Sequence, residues 1–385
     1  MRALQPHAAA VRHGQPEGAR LRRRAADDRQ QANADPAALG FDVAEHERGK
    51  TPNELWEAAI AEERALVAAD PVAGWDEVVL RYDEMSLRDF LLHKGWSEAA
   101  IEMYGILAFL ESDMANAAVE VLREDIGGAY VDMQEIIGGS DLLPRAFASA
   151  LADRIRYGAE VTAFDQDADG VTVHFKTEAG RWEERADHVL CTIPFSVLRT
   201  VEAQFSHEKQ KAIRQLNYHP STKILFQCRE RIWETEDGIR GGATCTDLAV
   251  RRLNYPTPSD TTQRGVLLAS YTWGQDAARW GAMDEETRLE EALDDVAKIH
   301  PRIREVYECG ASYAWYDDRF AGGAFALFDP GQQGELYTAI TQPEGRIHFA
   351  GEHCSLHHAW IQGSLESGLR EARAIAAVDA QQRAE

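Results

Sequence analysis

Residues 346–368 read RIHFAGEHCSLHHAWIQGSLESG, a run that predicts a short strand, a break at Gly351, a loop and then a long helix. Glu352 stands at the carboxyl end of the strand, where open α/β sheets bind ligands, and could accept hydrogen bonds from sugar hydroxyls. The first helical turn consists of Ile361, Gln362, Gly363 and Ser364. Its free backbone N–H groups and the helix dipole suit a pyrophosphate, and Gly363 would allow close approach. On spacing alone, an ordinary strand, loop and helix explains the run equally well.

Upstream of this run, strands and helices follow one another in a pattern that predicts a mixed α/β chain. Two alternating runs on either side of residues 167–170 predict a β-hairpin, and an apolar run at residues 188–193 predicts a buried strand. Further predicted strands cover residues 221–229, 248–253 and 265–271, and predicted helices cover residues 142–152 and 284–300.

The segment from residue 51 to residue 122 reads as a cluster of short helices. Thr51, Pro52 and Glu54 combine an N-cap, a proline at the first helical position and a capping box. Ser86 repeats the N-cap ahead of the next apolar residues at helical spacing.

The composition disfavours several function classes. The 385 residues carry a net charge of −23, which repels nucleic-acid phosphates and anionic membranes. No apolar run approaches the roughly 20 residues that a membrane span needs. The five cysteines form no CxxC pair, so we expect neither a disulfide framework nor a zinc site. No apolar stretch follows the arginines at residues 22–24, so we expect no signal peptide, a cytoplasmic location and a disordered or poorly packed arm at residues 1–35.

Residues 346–368 closely resemble the C-terminal flavin-binding segment of the flavin monoamine oxidase family, especially the bacterial L-amino-acid oxidases. The resemblance runs from roughly residue 35 to residue 377 through further motifs in the same order. These motifs are Gly138–Pro144, Gly158–Val161, Ala186–Val197, Ser221–Lys223, Arg231–Glu234, Gly241–Asp247 and Trp315–Phe325. The similarity implies an α/β (α+β) fold of the FAD-linked amine-oxidase type, with two domains and a helical subdomain.

The resemblance also predicts the domain boundaries. It implies a helical subdomain at residues 36–135, the remainder of an FAD-binding domain at 136–200 and 340–385, and a substrate-binding domain at 201–339. The family opens with a βαβ unit that carries a GxGxxG motif, and this chain contains no such spacing. We therefore expect a truncated chain without the N-terminal Rossmann unit or the following carboxylate-binding arginine, and weak or no activity of the chain alone.

Three side chains receive roles in the reaction from the resemblance. Tyr271 matches the tyrosine whose hydroxyl binds the substrate carboxylate. Lys223, the candidate catalytic residue, matches a lysine that holds a water near flavin N5 and assists oxygen chemistry. Trp360 matches the aromatic wall of the substrate site, and Ala359 lies beside it where many relatives have glycine. The structural alternatives are a core tyrosine, a lysine at a strand edge and a core tryptophan.

Other residues are implied to contact the cofactor. Val161 resembles the position whose backbone contacts the adenine, and Trp315 would complete the aromatic side of a water-poor pocket. The remaining implied cofactor contacts are Gly351, Glu352, Ala359, Trp360, Ile361, Gln362, Gly363 and Ser364. Ala324 stands where monoamine oxidases carry a cysteine linked to FAD, which implies noncovalent FAD. His353 and His357 lack an HExxH pattern, so we expect no metal.

The implied reaction is oxidative deamination of an L-amino acid to a 2-oxo acid, ammonia and hydrogen peroxide, with dioxygen as the second small-molecule substrate. One alternative is an amine or polyamine oxidase, or a tryptophan monooxygenase-like enzyme. Another is an inactive, flavin-free truncated homologue. Tyr271 and the motif around Trp360 favour an amino acid over a plain amine. A homodimer also stays open.

Overall fold

The computed structural model describes residues 8–11, 39–131, 136–256 and 263–382. The strands are β1 Ala8–Val11, β2 Glu160–Gln166, β3 Val171–Thr177, β4 Gly180–Ala186, β5 Val189–Cys191, β6 Glu202–Ala203, β7 Tyr218–His219, β8 Ser221–Cys228, β9 Ala243–Thr246, β10 Arg252–Asn254, β11 Gly265–Trp273, β12 Tyr307–Ala314, β13 Phe325–Ala326 and β14 Ile347–Phe349. The helices are α1 Pro52–Ala59, α2 Ala61–Ala69, α3 Pro71–Tyr82, α4 Leu87–His93, α5 Glu98–Leu107, α6 Ala118–Ile126, α7 Leu142–Ala150, α8 Phe195–Leu198, α9 His207–Gln215, α10 Ile232–Thr235, α11 Gly274–Gly281, α12 Glu285–Ile299, α13 Ile303–Val306, α14 Gln332–Thr341 and α15 Ile361–Gln382. None of these helices is both long and apolar enough to cross a membrane.

The described residues form two compact units. Of the described residues, the large unit comprises 8–11, 39–127, 217–256 and 263–334, and the small unit comprises 128–131, 136–216 and 335–382. The predicted helical and substrate-binding segments therefore group in one unit. Backbone pairing joins them, because the Ala117 N–H donates to the Phe328 carbonyl at 2.9 Å.

A mixed sheet in the order β1-β9-β10-β11-β8-β12 forms the centre of the large unit. Side chains along β8 alternate between the two faces of the sheet. Ile224, Phe226 and Cys228 enter the apolar core with Trp233 and Trp280. The alternation therefore directs the other set of β8 side chains to the face opposite this core.

Strand β1 corrects part of the expectation for residues 1–35. Instead of remaining poorly packed, Ala8–Val11 pair in parallel with Ala243–Thr246 in β9. The physical reason is the edge of β9, since an edge strand offers unpaired N–H and C=O groups to any extended segment that reaches it. The rest of this arm lies outside the described residues.

The predicted helix start at Thr51 is confirmed. The Thr51 hydroxyl accepts a hydrogen bond from the Glu54 N–H at 3.1 Å, and the Glu54 carboxylate accepts one from the Thr51 N–H at 2.8 Å. Ser86 caps α4 in the same manner. Apolar residues of these helices then pack together, as in the stacked rings of Trp56 and Tyr104 at 5.4 Å.

Two sheets build the small unit. The predicted hairpin is confirmed as β2 and β3, which belong to a sheet in the order β4-β3-β2-β6. Strand β14 pairs in parallel with β5, in the register Ile347↔Val189, and α15 follows it as predicted. Helix α9 groups with this unit. The first long segment of the unit therefore ends at Leu216, whereas the resemblance implied a boundary at residue 200.

The strand predicted at residues 248–253 is mostly wrong. Only Arg252–Asn254 are extended, because Arg251 takes a left-handed backbone with φ of 54°. Asp276 and Glu111 hold the Arg251 guanidinium at 2.8 and 2.6 Å. These ion pairs depend on residues far away in sequence, so the apolar run could not reveal them.

Candidate active site

The predicted site residues divide between the two units. Lys223, Tyr271 and Trp315 belong to the large unit, whereas Val161 and the segment 351–364 belong to the small unit. The fold therefore assembles two local sets of candidates, one on the central sheet and one in the loop before α15.

Lys223 and Tyr271 face each other across two antiparallel strands. They are register partners between β8 and β11, so their side chains emerge on the same face of the sheet. The Lys223 Nζ lies 4.5 Å from the centroid of the Tyr271 ring. A β-bulge between Leu268 and Ser270 precedes this pair and shifts the register of β11. The bulge thus sets which β11 side chain stands opposite the lysine.

The surroundings of Lys223 disfavour its charged form. Burial lowers the pKa of the Lys223 ammonium, and no other group contributes to this shift. Among the residues that the structure describes, no carboxylate pairs with Nζ. The amine therefore releases its proton more readily than an exposed lysine does, which suits a group that handles water or protons.

Tyr271 is surrounded by aromatic rings. Its ring centroid lies 5.2 Å from Trp273 and 6.2 Å from Phe109. Burial raises the pKa of the Tyr271 hydroxyl, and the Trp273 indole and then the positive charge of Arg252 partly offset this effect. The hydroxyl accordingly keeps its proton at neutral pH and can donate a hydrogen bond to an anion.

Trp315 follows β12 in a single 3-10 turn. Its ring meets Tyr313 edge-on at 4.6 Å, and 40% of the residue is exposed. Tyr313 is itself the β12 register partner of Lys223. The structure thus brings Trp315 to the β12 side of the lysine, through Tyr313.

Hydrogen bonds within residues 351–367 hold the loop that precedes α15. The Ala359 N–H donates to the Glu352 carboxylate at 2.9 Å. Ser367 accepts a hydrogen bond from the Gly351 N–H at 3.0 Å and donates to backbone carbonyls nearby. Ala359 has a φ of 64° and Gly351 a φ of 139°, so both lie where glycine is favoured. Glu352 therefore shapes the loop in addition to any ligand contact.

The start of α15 leaves backbone donors free. Among the described residues, no acceptor receives the N–H of Ile361 or Gln362. Gly363 is needed locally, because a Cβ there would overlap Ser355 and the His357 carbonyl. The Ser364 carbonyl accepts a bond from Ser367 at 3.2 Å. A helix start with unused donors fits an anionic group such as the pyrophosphate of a dinucleotide.

Trp360 and Val161 are the remaining candidates of the small unit. Trp360 immediately precedes α15, and its ring meets Tyr130 edge-on at 5.5 Å. Val161 is a partly buried residue of β2, paired with Phe175 next to a β-bulge. The roles of Trp360 beside the substrate and of the Val161 backbone at the adenine stay predictions.

Within the described ranges, no group of three His, Cys, Asp or Glu side chains is arranged to hold a metal ion. His353 is buried, and burial together with His358 and Lys209 lowers its pKa to about 3. His357 instead contacts Glu366 at 3.0 Å on the surface. The two histidines of the predicted spacing therefore occupy different environments.

Sequence reasoning missed the rings around Tyr271. Trp273 could have been identified, since it lies two residues after Tyr271 and thus shares its face of β11. Phe109 could not, because it comes from the end of α5, more than a hundred residues earlier. Phe109 and Trp273 also line a small cavity together with Arg251 and Asp276.

Known proteins are similar to this chain in sequence. Residues 39–376 match the family model described as flavin containing amine oxidoreductase. The putative L-amino-acid oxidase YobN of Bacillus subtilis (strain 168) is 39% identical over 346 residues, which cover 88% of this chain and 72% of YobN. The flavin-dependent L-tryptophan oxidase RebO of Lentzea aerocolonigenes is 43% identical over 338 residues, which cover 83% of this chain and 69% of RebO.

Solved structures share the fold at lower sequence identity. A putrescine oxidase variant, A394C, superposes with a TM-score of 0.69 at 18% identity, covering 85% of this chain and 75% of the other. Cyclohexylamine oxidase from Brevibacterium oxydans IH-35A superposes with a TM-score of 0.63 at 18% identity, with the same coverage. These likenesses confirm the expected fold class.

Proposed function

Because this chain belongs to the flavin-containing amine oxidoreductases and is an oxidoreductase with FAD as its cofactor, we propose that it oxidises the α-amino group of an L-amino acid. The products are a 2-oxo acid, ammonia and hydrogen peroxide. When bound, FAD supplies the acceptor for the hydride of the α-carbon and passes the electrons to dioxygen.

The observation that carries the proposal is the pairing of Lys223 with Tyr271. A partly buried amine lies 4.5 Å from the ring of a partly buried tyrosine, and the two side chains emerge from adjacent strands. Perturbed titratable groups that meet on one face of a sheet are typical of functional sites. A tyrosine and a lysine that served only the core would face the apolar cluster of the sheet instead.

Tyr271 binds and orients the substrate. Its protonated hydroxyl donates a hydrogen bond to the α-carboxylate, which fixes the amino acid by a group that plain amines lack. Trp273 and Phe109 limit the access of water to this hydroxyl. In such surroundings one hydrogen bond to a carboxylate is stronger than in bulk water.

Lys223 holds a water and handles a proton. Its lowered pKa makes the ammonium a better proton donor to a nearby water, and the amine that remains can take up a proton again during the reaction. The cation that results would be stabilised by the face of the Tyr271 ring. Lys223 thus places a group that transfers protons beside Tyr271, the residue that binds the carboxylate.

The small unit supplies the residues that hold the cofactor. The free N–H groups of Ile361 and Gln362 at the start of α15 would bind its phosphates without a side-chain charge. Gly363 and Ala359 keep the preceding loop close to the helix, and Glu352 fixes that loop by accepting the Ala359 N–H. We expect FAD to be bound noncovalently, because Ala324 has no thiol at the position where monoamine oxidases carry the cysteine linked to FAD.

The relatives at higher identity support the proposed substrate class. YobN and RebO carry the names of L-amino-acid and L-tryptophan oxidases, at 39% and 43% identity. The amine oxidases among the solved structures, at 18% identity, support the fold alone. An amino acid is therefore favoured over a plain amine.

Substitution of Tyr271 by phenylalanine tests the proposal. We expect Y271F to raise the KM for L-amino acids about tenfold, the effect of losing one charge-assisted hydrogen bond, with a smaller effect on kcat. The measurement is peroxide release from the FAD-loaded protein with a panel of L-amino acids and with the corresponding amines.

The control is the tyrosine next to the lysine on the other strand. Tyr313 is partly exposed and its hydroxyl already donates to Asp318, so Y313F should leave the KM nearly unchanged. Peroxide release from amines but not from amino acids would contradict the proposed substrate class. Equal KM values for Y271F and the parent would contradict the role of the tyrosine.

A further inference from the structure

A guanidinium lies beside the aromatic cluster that surrounds Tyr271. Arg252 in β10 places its Cζ 5.3 Å from the centroid of the Phe109 ring, and Phe109 in turn contacts Tyr271 at 6.2 Å. Strand β10 is the neighbour of β11 in the sheet, with Asn254 opposite Leu268. Arg252 therefore lies on the strand next to Tyr271, on the side away from Lys223.

No carboxylate of the described residues neutralises the charge of Arg252. Its Nε donates to the Asn254 amide oxygen at 3.2 Å, and among the described residues no carboxylate pairs with it. The preceding Arg251 differs in this respect, because Asp276 and Glu111 both bind it. In a chain of net charge −23, a partly buried arginine without an acidic partner is available to an anion.

Two acidic groups also act on Tyr271. Asp113 and Glu124 act on the hydroxyl of Tyr271 from the helical segment, in the sense opposite to Arg252. Asp113 lies 2.9 Å from the buried His219 imidazole, so its charge has a partner of its own. The positive charge of Arg252 is felt at Tyr271 despite these acids.

We propose that Arg252 is a second anchor for the substrate carboxylate, acting beside the Tyr271 hydroxyl within the large unit. The inference rests on the proposed function and deepens it, since it names the cation that a buried carboxylate requires. A single tyrosine hydroxyl leaves most of the negative charge uncompensated, whereas an arginine and a tyrosine together provide charge and direction. The Phe109 ring, 5.3 Å from Cζ, favours the position of the charged guanidinium beside it.

A binding measurement tests this role without turnover. The probes are 3-phenylpropanoate and its neutral amide, 3-phenylpropanamide, and the signal is the intrinsic fluorescence of the protein, to which Trp273 beside Tyr271 contributes. We compare the parent with Arg252→Met, which keeps much of the packing on Phe109, and with Arg252→Lys, which keeps the charge. Arg279→Met is the matched control, because it removes an arginine that stacks on Trp280 and pairs with Glu291.

We expect R252M to weaken the binding of the carboxylate about tenfold and to leave the amide within about twofold, with partial recovery in R252K. R279M should bind both probes as the parent does. Circular dichroism and a thermal melt establish that each variant is folded before the titration.

An equal loss of affinity for both probes in R252M would overturn the proposal, because it would indicate a packing role. Unchanged affinity for the carboxylate would overturn it as well. Failure of the proposed function is a separate result: a protein that binds the carboxylate through Arg252 but oxidises no amino acid would contradict the activity and leave the anchor intact.

Discussion

His353 shows how burial changes a single residue. Only 3% of it is exposed, and its ring lies 4.8 Å from that of Phe195. Burial, and then the charges of His358 and Lys209, lower its pKa from 6.5 to about 3. A Cβ at Gly351 would overlap this ring, so the imidazole also shapes the turn that precedes the loop. The imidazole of His353 is therefore neutral in the folded protein near neutral pH.

The pH dependence of stability follows from that lowered pKa. Between about 3 and 6.5 the unfolded histidine binds a proton that the folded one does not, so folding becomes less favourable as the pH falls. Stability that is present above 6.5 is lost progressively towards pH 3. We expect His353→Gln to reduce the slope of the free energy of unfolding against pH, measured by urea unfolding at several acidic pH values. His357→Gln, in the exposed part of the same loop, is the control, and equal slopes for H353Q and the parent would contradict the prediction.

Helices α9 and α14 are joined by a buried lysine. The Lys209 ammonium donates to the carbonyls of Ile340 and Gln342 at 2.9 and 2.8 Å, and only 1% of the residue is exposed. The last carbonyls of a helix have no partner within the helix, so this side chain satisfies the end of α14. The ring of Phe349 lies 3.8 Å from the same nitrogen. One residue thus connects two helices and strand β14.

Removal of this lysine should be costly. We expect Lys209→Met to lower the free energy of unfolding by about 2 kcal/mol, since it leaves buried carbonyls without donors. Lys211→Met is the matched control on the same helix: its partner Glu335 is exposed, so the loss should be below about 1 kcal/mol. Urea unfolding followed by circular dichroism measures both. Similar losses for the two variants would show that the buried bonds contribute no more than a surface ion pair.

The whole molecule carries a strong excess of negative charge. There are 64 acidic and 41 basic residues, which give the net charge of −23. Many basic side chains are engaged in surface ion pairs, such as Arg304 with Glu290 and Asp294. The excess acids repel one another and destabilise the compact state.

Salt should therefore stabilise the protein. An increase in NaCl from about 10 mM to about 150 mM shortens the Debye length from about 30 Å to about 8 Å and screens this repulsion. We expect the melting temperature to rise by several degrees over that range, measured by differential scanning calorimetry. A neutral osmolyte at equal osmolality serves as the control. A melting temperature that falls or stays constant with salt would mean that the ion pairs outweigh the repulsion.

Local sequence signals were enough for the elements that short-range forces specify. The cap at Thr51, the hairpin around residues 167–170 and the strand, loop and helix of residues 346–382 all form as predicted. In each case a backbone group is satisfied by a residue a few positions away. The segment at residues 346–368 also carried the family resemblance, and hence the prediction of the fold class.

Long-range register accounts for the features that the sequence did not reveal. Strand β4 is exposed along its whole length and β12 lacks a regular alternation, so neither shows an apolar period. Lys223 meets Tyr271 and Tyr313 through the pairing of β8 with β11 and β12, which a single residue of slip would abolish. Phe109 and Arg252 join them from distant segments. Such proximity depends on how strands and helices pack, and no local pattern encodes that distance.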